Sequence, residues 1–388
     1  MMATPEWTLS EFRGRQGLRG LEADWRRLYA GMPHRTALIS FEAVTGYLDH
    51  CLEDPDRVRC LVLGDGREAR AICLLEPRTE GRLGFRVGVW GVLWLNRHPT
   101  LADFVCPDDE VRRVFLPLVA GYLRRHPEGR RLLALGPLEA DAPLWEGMRR
   151  LPPSDGCADP VDPVRVLDCR RPFAEVEAAW TKNFRHQMKA VRKRLAELPD
   201  LQFRVVRGAP ELARELPVFL DLEASGWKGE GGTSIRHVRG QADFHAELVA
   251  SLDHAEDYCE IDALYTGDRC IASAFLLRTG ATCLALHIAY DEGYSRASPG
   301  NALAARVIER CCADPGSHRA HFVSDAPWMR GWPSELQAMR TGFVNIGGPV
   351  GRILVTLLRF RLGPLRRLVR WLQPRLRRLG PRPGPGQA

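Results

Sequence analysis

Seven consecutive residues, Arg296–Ala297–Ser298–Pro299–Gly300–Asn301–Ala302, place a cation, a hydroxyl, a proline and a glycine ahead of an apolar period that runs to Cys312. Pro299 before Gly300 and Asn301 marks a helix that begins near Gly300. A helix start offers main-chain N–H groups without intrahelical acceptors and the positive end of the dipole, and both suit phosphate oxygens. Gly300 lets a ligand approach the backbone, Arg296 adds a cation, and no acid stands between Glu292 and Glu309. This is chemistry for gripping a pyrophosphate-bearing cofactor. A Pro-Gly turn before an ordinary helix is the plain alternative.

Other residues offer acid, base and binding groups. His287 lies in the apolar run Cys283–Ala289 and alternates with Ala285 and Ala289, so the three are expected on one face. A neutral imidazole among small neighbours could take a proton from an ammonium, or it could be a buried histidine with its partners satisfied. Tyr290, Asp291 and Tyr294 end that run. Asp325 follows the run Ala320–Ser324, where a carboxylate could act as a base, hold an amine or cap the next turn. Trp227 and Lys228 precede Gly229–Glu230–Gly231–Gly232, as a substrate floor under a closing loop or as a staple beneath it. Trp180–Leu198 reads as a helix with Trp180, Phe184, Met188, Val191, Leu195 and Leu198 on one stripe. Lys182, Arg185, Lys189, Arg192 and Lys193 lie largely off that stripe, as a phosphate-binding face or a solvated one.

The elements that must position these residues are legible as runs. Leu201–Val206 reads as a strand, and Glu211–Leu222 and Gln241–Leu252 as helices. Tyr258–Thr266, Cys270–Leu277 and Cys283–Ala289 read as three strands joined by the turns Gly267–Asp268 and Thr279–Gly280. The helix from Gly300, the strand Ala320–Ser324, a helix Ser334–Arg340 and a strand Phe343–Ile346 complete the half. The first half has nearly the same order: helices at Leu18–Tyr29 and Ser40–Leu52, strands at Arg57–Leu63, Glu68–Leu75 and Phe85–Leu95, a helix Val111–Leu123, a strand Arg131–Leu135, a short helix Pro143–Arg150 and a strand Val164–Leu167. An order repeated over about 170 residues implies two similar domains, divided near Arg170–Pro172 after a loop at Pro152–Pro163. The first-half counterpart of Pro299–Gly300 is Cys106–Pro107–Asp108–Asp109–Glu110. Its three acids stabilise a helix start and would repel a pyrophosphate, so one working cofactor site is expected, in the second half.

Composition narrows the class. A chain of 388 residues with a net charge of +7 suits two globular domains. No apolar run reaches the roughly 18–20 residues that span a bilayer, and the N-terminus lacks a secretory layout. The eleven cysteines are scattered, without a CxxC pair, and read as reduced core cysteines with no metal. Arginine supplies nearly all the positive charge, and the lysines are Lys182, Lys189, Lys193 and Lys228.

The element order, with a helix-start loop after the third meander strand, resembles the GNAT acyltransferase fold. The family's pyrophosphate loop runs Gln/Arg-x-x-Gly-x-Gly/Ala. Here Arg296 and Ala302 are kept, Gly is displaced to Gly300, and Pro299 takes the first Gly position. Thr341–Gly342–Phe343 resembles the Gly-Phe before a late strand. Three further segments are similar to tandem-GNAT proteins, the bacterial cellulose- and exopolysaccharide-associated acetyltransferases and the Fem-type peptidyltransferases. They are the basic helix Phe184–Leu195, the segment Leu222–Gly229 with Glu223-x-x-x-Trp227-Lys228-Gly229, and Ala289–Tyr290–Asp291 followed by Ser298–Pro299–Gly300.

The resemblance implies an α/β fold of two tandem GNAT-like (acyl-CoA N-acyltransferase) domains, with mixed, mostly antiparallel sheets flanked by helices and a basic C-terminal tail. The divisions are 1–169, without a working cofactor site, 170–349, the acyltransferase domain, and 350–388, an amphipathic tail with a Pro/Gly-rich end. Acyl-CoA is the implied co-substrate, its pyrophosphate held by Arg296, Ser298, Gly300, Asn301 and Ala302. A main-chain amide on the strand carrying His287 would polarise the thioester. His287, Asp325 and Tyr290 are the candidate catalytic residues, and Trp227, Lys228, Asp291 and Arg185 the candidate acceptor-binding ones. The fold often uses a Tyr beyond its fifth strand as the acid, but Asp325–Ala326–Pro327–Trp328 contains none. The expected reaction is N-acyl transfer to an amine on a small molecule or an envelope or polysaccharide precursor, in the bacterial cytoplasm. The alternatives are a Fem-type transferase using aminoacyl-tRNA, the one nucleic-acid partner considered, and a non-catalytic membrane-surface scaffold. Residues 350–379 interleave leucines and arginines, so they suit either an anionic membrane face or the protein's own core.

Overall fold

The structure is a computed structural model that describes residues 6–33, 35–81, 86–93 and 104–360. In these residues twelve strands form one sheet. The first half supplies β1 (Thr8–Arg13), β2 (Arg59–Gly64), β3 (Ala69–Glu80), β4 (Val87–Val92), β5 (Leu132–Glu139) and β6 (Gly156–Asp168). The second supplies β7 (Leu201–Val206), β8 (Asp257–Thr266), β9 (Arg269–Thr279), β10 (Thr282–Tyr290), β11 (Arg319–His321) and β12 (Glu335–Asn345). The spatial order is β1-β2-β3-β4-β5-β12-β6-β11-β10-β9-β8-β7. The pairs β4·β5 and β10·β11 are parallel and the other neighbours antiparallel.

The middle of that order shows how the halves join. The last strand of the second half, β12, pairs with β5 of the first, and the last strand of the first half, β6, pairs with β11 of the second. β6 and β12 also pair with each other. The arrangement is a reciprocal exchange, and neither half has a complete sheet of its own. Both halves also open on a strand, since β1 pairs with β2 as β7 pairs with β8. Thr8–Arg13 carries no strand signal that the sequence reading used, and with it the repeat is closer than expected.

Two sequence expectations are corrected here. Ser334–Arg340 was expected to be helical, but it is the front of β12. Its Glu, Leu, Gln, Ala and Met are good helix formers, yet pairing on both edges, with β5 and β6, overrides that weak local preference. Pro152–Pro163 was expected to be a loop, but β6 begins at Gly156. Its register against β12 shifts between Gln337 and Met339, next to Pro163, and an irregularity there accommodates a residue with no N–H to donate.

Helices cover both faces. α1 (Gly14–Arg19), α2 (Glu22–Ala30) and α3 (Phe41–His50) belong to the first half, as do α4 (Asp109–Arg125) and α5 (Leu144–Arg149). α6 (Phe173–Ala178), α7 (Lys182–Ala196), α8 (Ala209–Ser225), α9 (Trp227–Glu230), α10 (Gln241–Ser251), α11 (Pro299–Ala313) and α12 (Gly348–Phe360) follow. α7 buries Phe184, Met188, Val191 and Leu195, the stripe expected from its period, with Thr181 accepting from the Phe184 N–H at its start. These residues pack with Leu303, Ala304 and Val307 of α11.

One core unites the two halves. It contains Leu18, Trp25, Val44 and Leu48 from the first half and Phe219, Phe244, Phe275 and Leu284 from the second. Polar ties border it: the Tyr29 hydroxyl donates to Asp257 at 3.0 Å, and the Ala37 N–H donates to Thr279 Oγ1 at 2.8 Å. All eleven cysteines are free, and nine are buried.

Candidate functional site

β10 and β11 pair over only three positions, Thr282↔Arg319, Cys283↔Ala320 and Leu284↔His321. Beyond His321 the chain turns to β6, where the Phe322 N–H donates to the Arg165 carbonyl at 3.0 Å and the Arg165 N–H to that of Ser324 at 3.1 Å. β10 runs on to Tyr290. Among the described residues, Ala285–Tyr290 therefore has no partner strand on the β11 side, and two parallel strands part where a narrow chain could lie between them. A register shift between Ala285 and His287 lies on this stretch.

That shift corrects the expectation that Ala285, His287 and Ala289 share a face. Leu286 is the extra residue. Ala285 joins the core beneath α7 and α11, while His287 stands opposite Phe275, in the core between the halves, where Ala289 also packs. A bulge of this kind re-aims side chains and strengthens the local twist. His287 is half-buried, with ring centroids 6.4 Å from Phe219 and 5.4 Å from His245.

The start of α11 lies beside this edge. Ser298 holds left-handed backbone angles (φ 47°, ψ 55°), and Pro299 begins the helix with no acid in the first turn. Gly300 faces Tyr290. The amides are less available than the sequence suggested, because the Asn301 and Ala302 N–H groups donate to the Ser298 carbonyl at 3.1 and 3.3 Å. Pro299 has none, so Gly300 carries the first-turn N–H without such a partner among the described residues. A second guanidinium is present, as Arg194 of α7 donates to the Arg296 carbonyl at 2.6 Å. Sequence reading missed Arg194. Its only signal was a place on the basic helix, whose angle to α11 is set by the shared core.

Among the described residues, two of the four non-glycine positions with positive φ flank the gap, Ser298 at the helix start and Val323 (φ 43°) just beyond β11. A β-branched residue there is strained and is held by its surroundings. The Val323 N–H donates to Nδ1 of buried His321 at 3.1 Å. Burial, with Arg319 nearby, pushes the His321 pKa down to about 4, so the ring is neutral and carries its proton on Nε2. His245 is neutral in the other tautomer. Its Nδ1 donates to the Gln241 carbonyl at 2.7 Å, and burial brings its pKa to about 4.

The other candidates are held by defined contacts. The Glu223 carboxylate is buried, meets Lys228 Nζ at 3.2 Å and accepts from the Ile235 N–H at 2.9 Å, so it pins both ends of the glycine-rich turn. A Cβ at Gly229 would overlap the Ala224 carbonyl, which explains the glycine after Lys228. Trp227 is 65% exposed, and its main-chain N–H donates to the Glu292 carboxylate at 3.1 Å. Asp291 accepts from Arg269 at 2.6 Å and from the Gly293 N–H at 2.9 Å. Asp325 accepts from Arg165 of β6 at 2.5 Å, a tie between β6 and the chain that leaves β11. Arg185 donates to the Ala178 and Trp180 carbonyls at 2.9 and 3.1 Å, at the end of α6. In the first half, Asp108 accepts from the Glu110 and Val111 N–H groups at 2.8 and 3.3 Å, so its own carboxylate occupies the start of α4.

Residues 182–328 match the family described as an acetyltransferase (GNAT) domain. The match lies wholly in the second half. FemX is similar in fold over 86% of this chain and 97% of its own, with 9% identity and a TM-score of 0.54. So is the C-terminal domain (DUF2156) of a putative lysylphosphatidylglycerol synthetase from Agrobacterium fabrum, over 88% and 98%, with 11% identity and a TM-score of 0.53. A tandem GNAT protein from the clavulanic acid biosynthesis pathway aligns over 88% and 99%, with 13% identity and a TM-score of 0.46. No curated protein sequence matches the chain. The chain thus shares the fold of FemX and of the DUF2156 domain, one large, mostly antiparallel sheet flanked by helices.

Proposed function

We propose that this GNAT domain is an N-acyltransferase that draws its acyl group from acyl-CoA and passes it to an amine. The observation that carries the reading is the parting of β10 and β11 after Leu284 and His321, next to the acid-free start of α11. The diphosphate would meet the Gly300 N–H, Ser298, the amides about Asn301 and Ala302, and the guanidinium groups of Arg296 and Arg194. The pantetheine arm would follow the free edge of β10, whose N–H groups would polarise the thioester carbonyl. The amine attacks the carbonyl carbon directly, the C–S bond breaks, and CoA leaves as a thiolate that takes up a proton. His287, Asp325 and Tyr290 are the candidates for moving those protons. The acceptor would sit by Trp227 and Lys228, with Asp291 at the rim and Arg185 farther along. We place the division at 169/170, with β6 and β12 exchanged across it, and one cofactor site, since Asp108 already fills its first-half counterpart.

A panel of CoA thioesters added during thermal unfolding tests the reading. At least one should raise Tm, because a ligand that binds only the folded chain stabilises it. An aminoacyl-tRNA donor is favoured by one observation: α7 exposes Lys182, Lys189 and Lys193, and no acid lies between Thr181 and Ala196. Steeply salt-dependent tRNA binding, with no response to any CoA thioester, would establish that alternative.

A further inference from the structure

Four cysteines converge at the end of α11 that lies farthest from Gly300. α11 buries Leu303, Ala304, Val307, Ile308 and Cys311 on one stripe at helical spacing. Cys311 is therefore fully buried, while Cys312, one position on, stands at the edge of the stripe and is half-buried. Cys169 follows β6, where its N–H donates to the His318 carbonyl at 2.8 Å, and it is buried in the same core. Its thiol interacts with those of both Cys311 and Cys312, and Cys311 also meets Cys283 of β10. Arg278 donates to the Cys311 sulfur at 3.6 Å. Among the described residues no group of metal-ligating side chains could hold an ion, so the chemistry open to this cluster is that of thiols with one another.

The members differ in what they can do. Cys169, Cys283 and Cys311 are closed off from solvent, and Cys312 is the one an external reagent can reach. Interaction with the Cys169 thiol, and the Arg171 guanidinium nearby, hold the Cys312 pKa below that of an ordinary thiol, against burial and the Asp168 charge. Arg171 Nε is buried and has no hydrogen-bond partner among the described residues, which leaves that donor for an anionic sulfur. A partly exposed thiol of lowered pKa beside a buried second thiol is the setting in which oxidation becomes site-selective. Cys51 is the contrast. It is also half-buried, but burial pushes its pKa up to about 12, and its neighbours are Gln241 and the Gly240 carbonyl rather than a thiol.

We propose that Cys312 and Cys169 form a peroxide-oxidisable pair, with Cys312 as the attacking thiol and Cys169 as the resolving one. The Cys312 sulfur attacks one oxygen of a hydroperoxide, the O–O bond breaks, and the other oxygen leaves as water or an alcohol, so Cys312 becomes a sulfenic acid. The Cys169 sulfur then attacks the Cys312 sulfur, the S–O bond breaks, and the hydroxide departs as water with the Cys169 proton. Two thiols lose two electrons and the peroxide gains two. Cys312 lies in the last turn of α11, where a helix yields most readily to the movement that closes an S–S bond. The bridge ties β6, from the first half, to α11, from the second, whichever donor the second half uses.

Hydrogen peroxide at a few equivalents, followed by alkylation of the remaining thiols and peptide mass mapping of the full chain, tests the proposal. Two of the eleven thiols should be lost and should map as a Cys169–Cys312 disulfide. Tm should rise by several degrees, since the bridge closes a long loop, and dithiothreitol should reverse the rise. Cys169→Ser should instead let dimedone capture a sulfenic acid on Cys312, and Cys312→Ser should show neither the bridge nor the rise. Cys51 in the same sample should react at least about ten-fold more slowly than Cys312. Oxidation of Cys51 as fast as Cys312 overturns the proposal. So does a wild-type map in which Cys312 keeps its thiol or stops at the sulfenic acid, or a Cys169–Cys311 bridge that persists in Cys312→Ser. The wild-type map decides the matter even where a variant folds poorly.

Discussion

Gly300 lies against the ring of Tyr290: a Cβ at Gly300 would stand 3.3 Å from Tyr290 Cδ1. The helix start and the end of β10 are thus in contact, and any larger side chain at Gly300 must turn toward the ring or toward the space over the first-turn N–H. Gly300→Asp separates folding from binding. A carboxylate in the first turn of α11 should leave the fold unharmed or stabilise it by about 0.3–1 kcal/mol through the helix dipole. The same charge should oppose a diphosphate and weaken acyl-CoA binding by about ten-fold or more. Titrating the ligand-induced rise in Tm for wild type, Gly300→Ala and Gly300→Asp checks this. Undiminished affinity in the Asp variant would remove the helix start from the site.

The segment around Gly229 is predicted to be a lock. Buried Glu223 accepts from Lys228 and from the Ile235 N–H, and removing it leaves both donors without that acceptor. Glu223→Ala should destabilise by roughly 2–4 kcal/mol, the range for breaking a buried, hydrogen-bonded pair. Lys228→Met should cost less, since the Ile235 bond survives. A double-mutant cycle in urea should show coupling of at least about 1 kcal/mol between the two positions. Strict additivity would mean that the contact contributes nothing to stability.

The sequence made α7, the β8–β10 meander and the start of α11 legible, because each rests on local signals: the Phe184–Leu195 stripe, the Gly267 turn and Pro299–Gly300. The repeat was legible as order, but the exchange of β6 and β12 was not. Which strand fills a slot between two others is decided by partners far away in sequence, and Ser334–Arg340 gave the wrong local signal for that reason. The face of His287 was lost to one extra residue, Leu286, because a bulge inverts every alternation beyond it. Glu223, seen as part of a motif, gained its role only when Lys228 and Ile235 closed on it.

Two buried neutral histidines give a predicted acid sensitivity. Burial is the main cause that holds His245 and His321 at about pH 4, below the ordinary value near 6.5. A folded pKa below the unfolded one means that the contribution to stability is complete above pH 6.5 and is lost as pH falls toward 4. For fully buried His245 the loss is about 3 kcal/mol. Asp262 runs the other way. Burial, then repulsion from Glu260, raises its pKa to about 7, so its contribution is lost as pH rises toward 7. The measurement is therefore differential. His245→Phe, an aromatic exchange beside Phe244 and Phe275, should be less destabilised than wild type between pH 6.5 and 4.5 in urea unfolding. Parallel curves would contradict the assignment.

Asp325 and Arg165 separate chemistry from architecture. The carboxylate sits 2.5 Å from Arg165 Nε, and the same guanidinium donates to Ser334 at 3.1 Å, so the pair helps to hold β6 beside the chain that leaves β11. If Asp325 also serves the acceptor, its charge matters beyond this tie. Asp325→Asn keeps the shape and removes the charge, while Arg165→Gln removes the tie and leaves the carboxylate. Asp325→Asn should lower kcat/KM for the amine about 100-fold, the lower end for loss of a general base, with a stability change within about 1 kcal/mol. Arg165→Gln should have a similar effect on Tm and change kcat/KM less than about ten-fold. Equal losses of activity in the two variants would mean that Asp325 acts only through Arg165, and the proton would then pass through His287 or Tyr290.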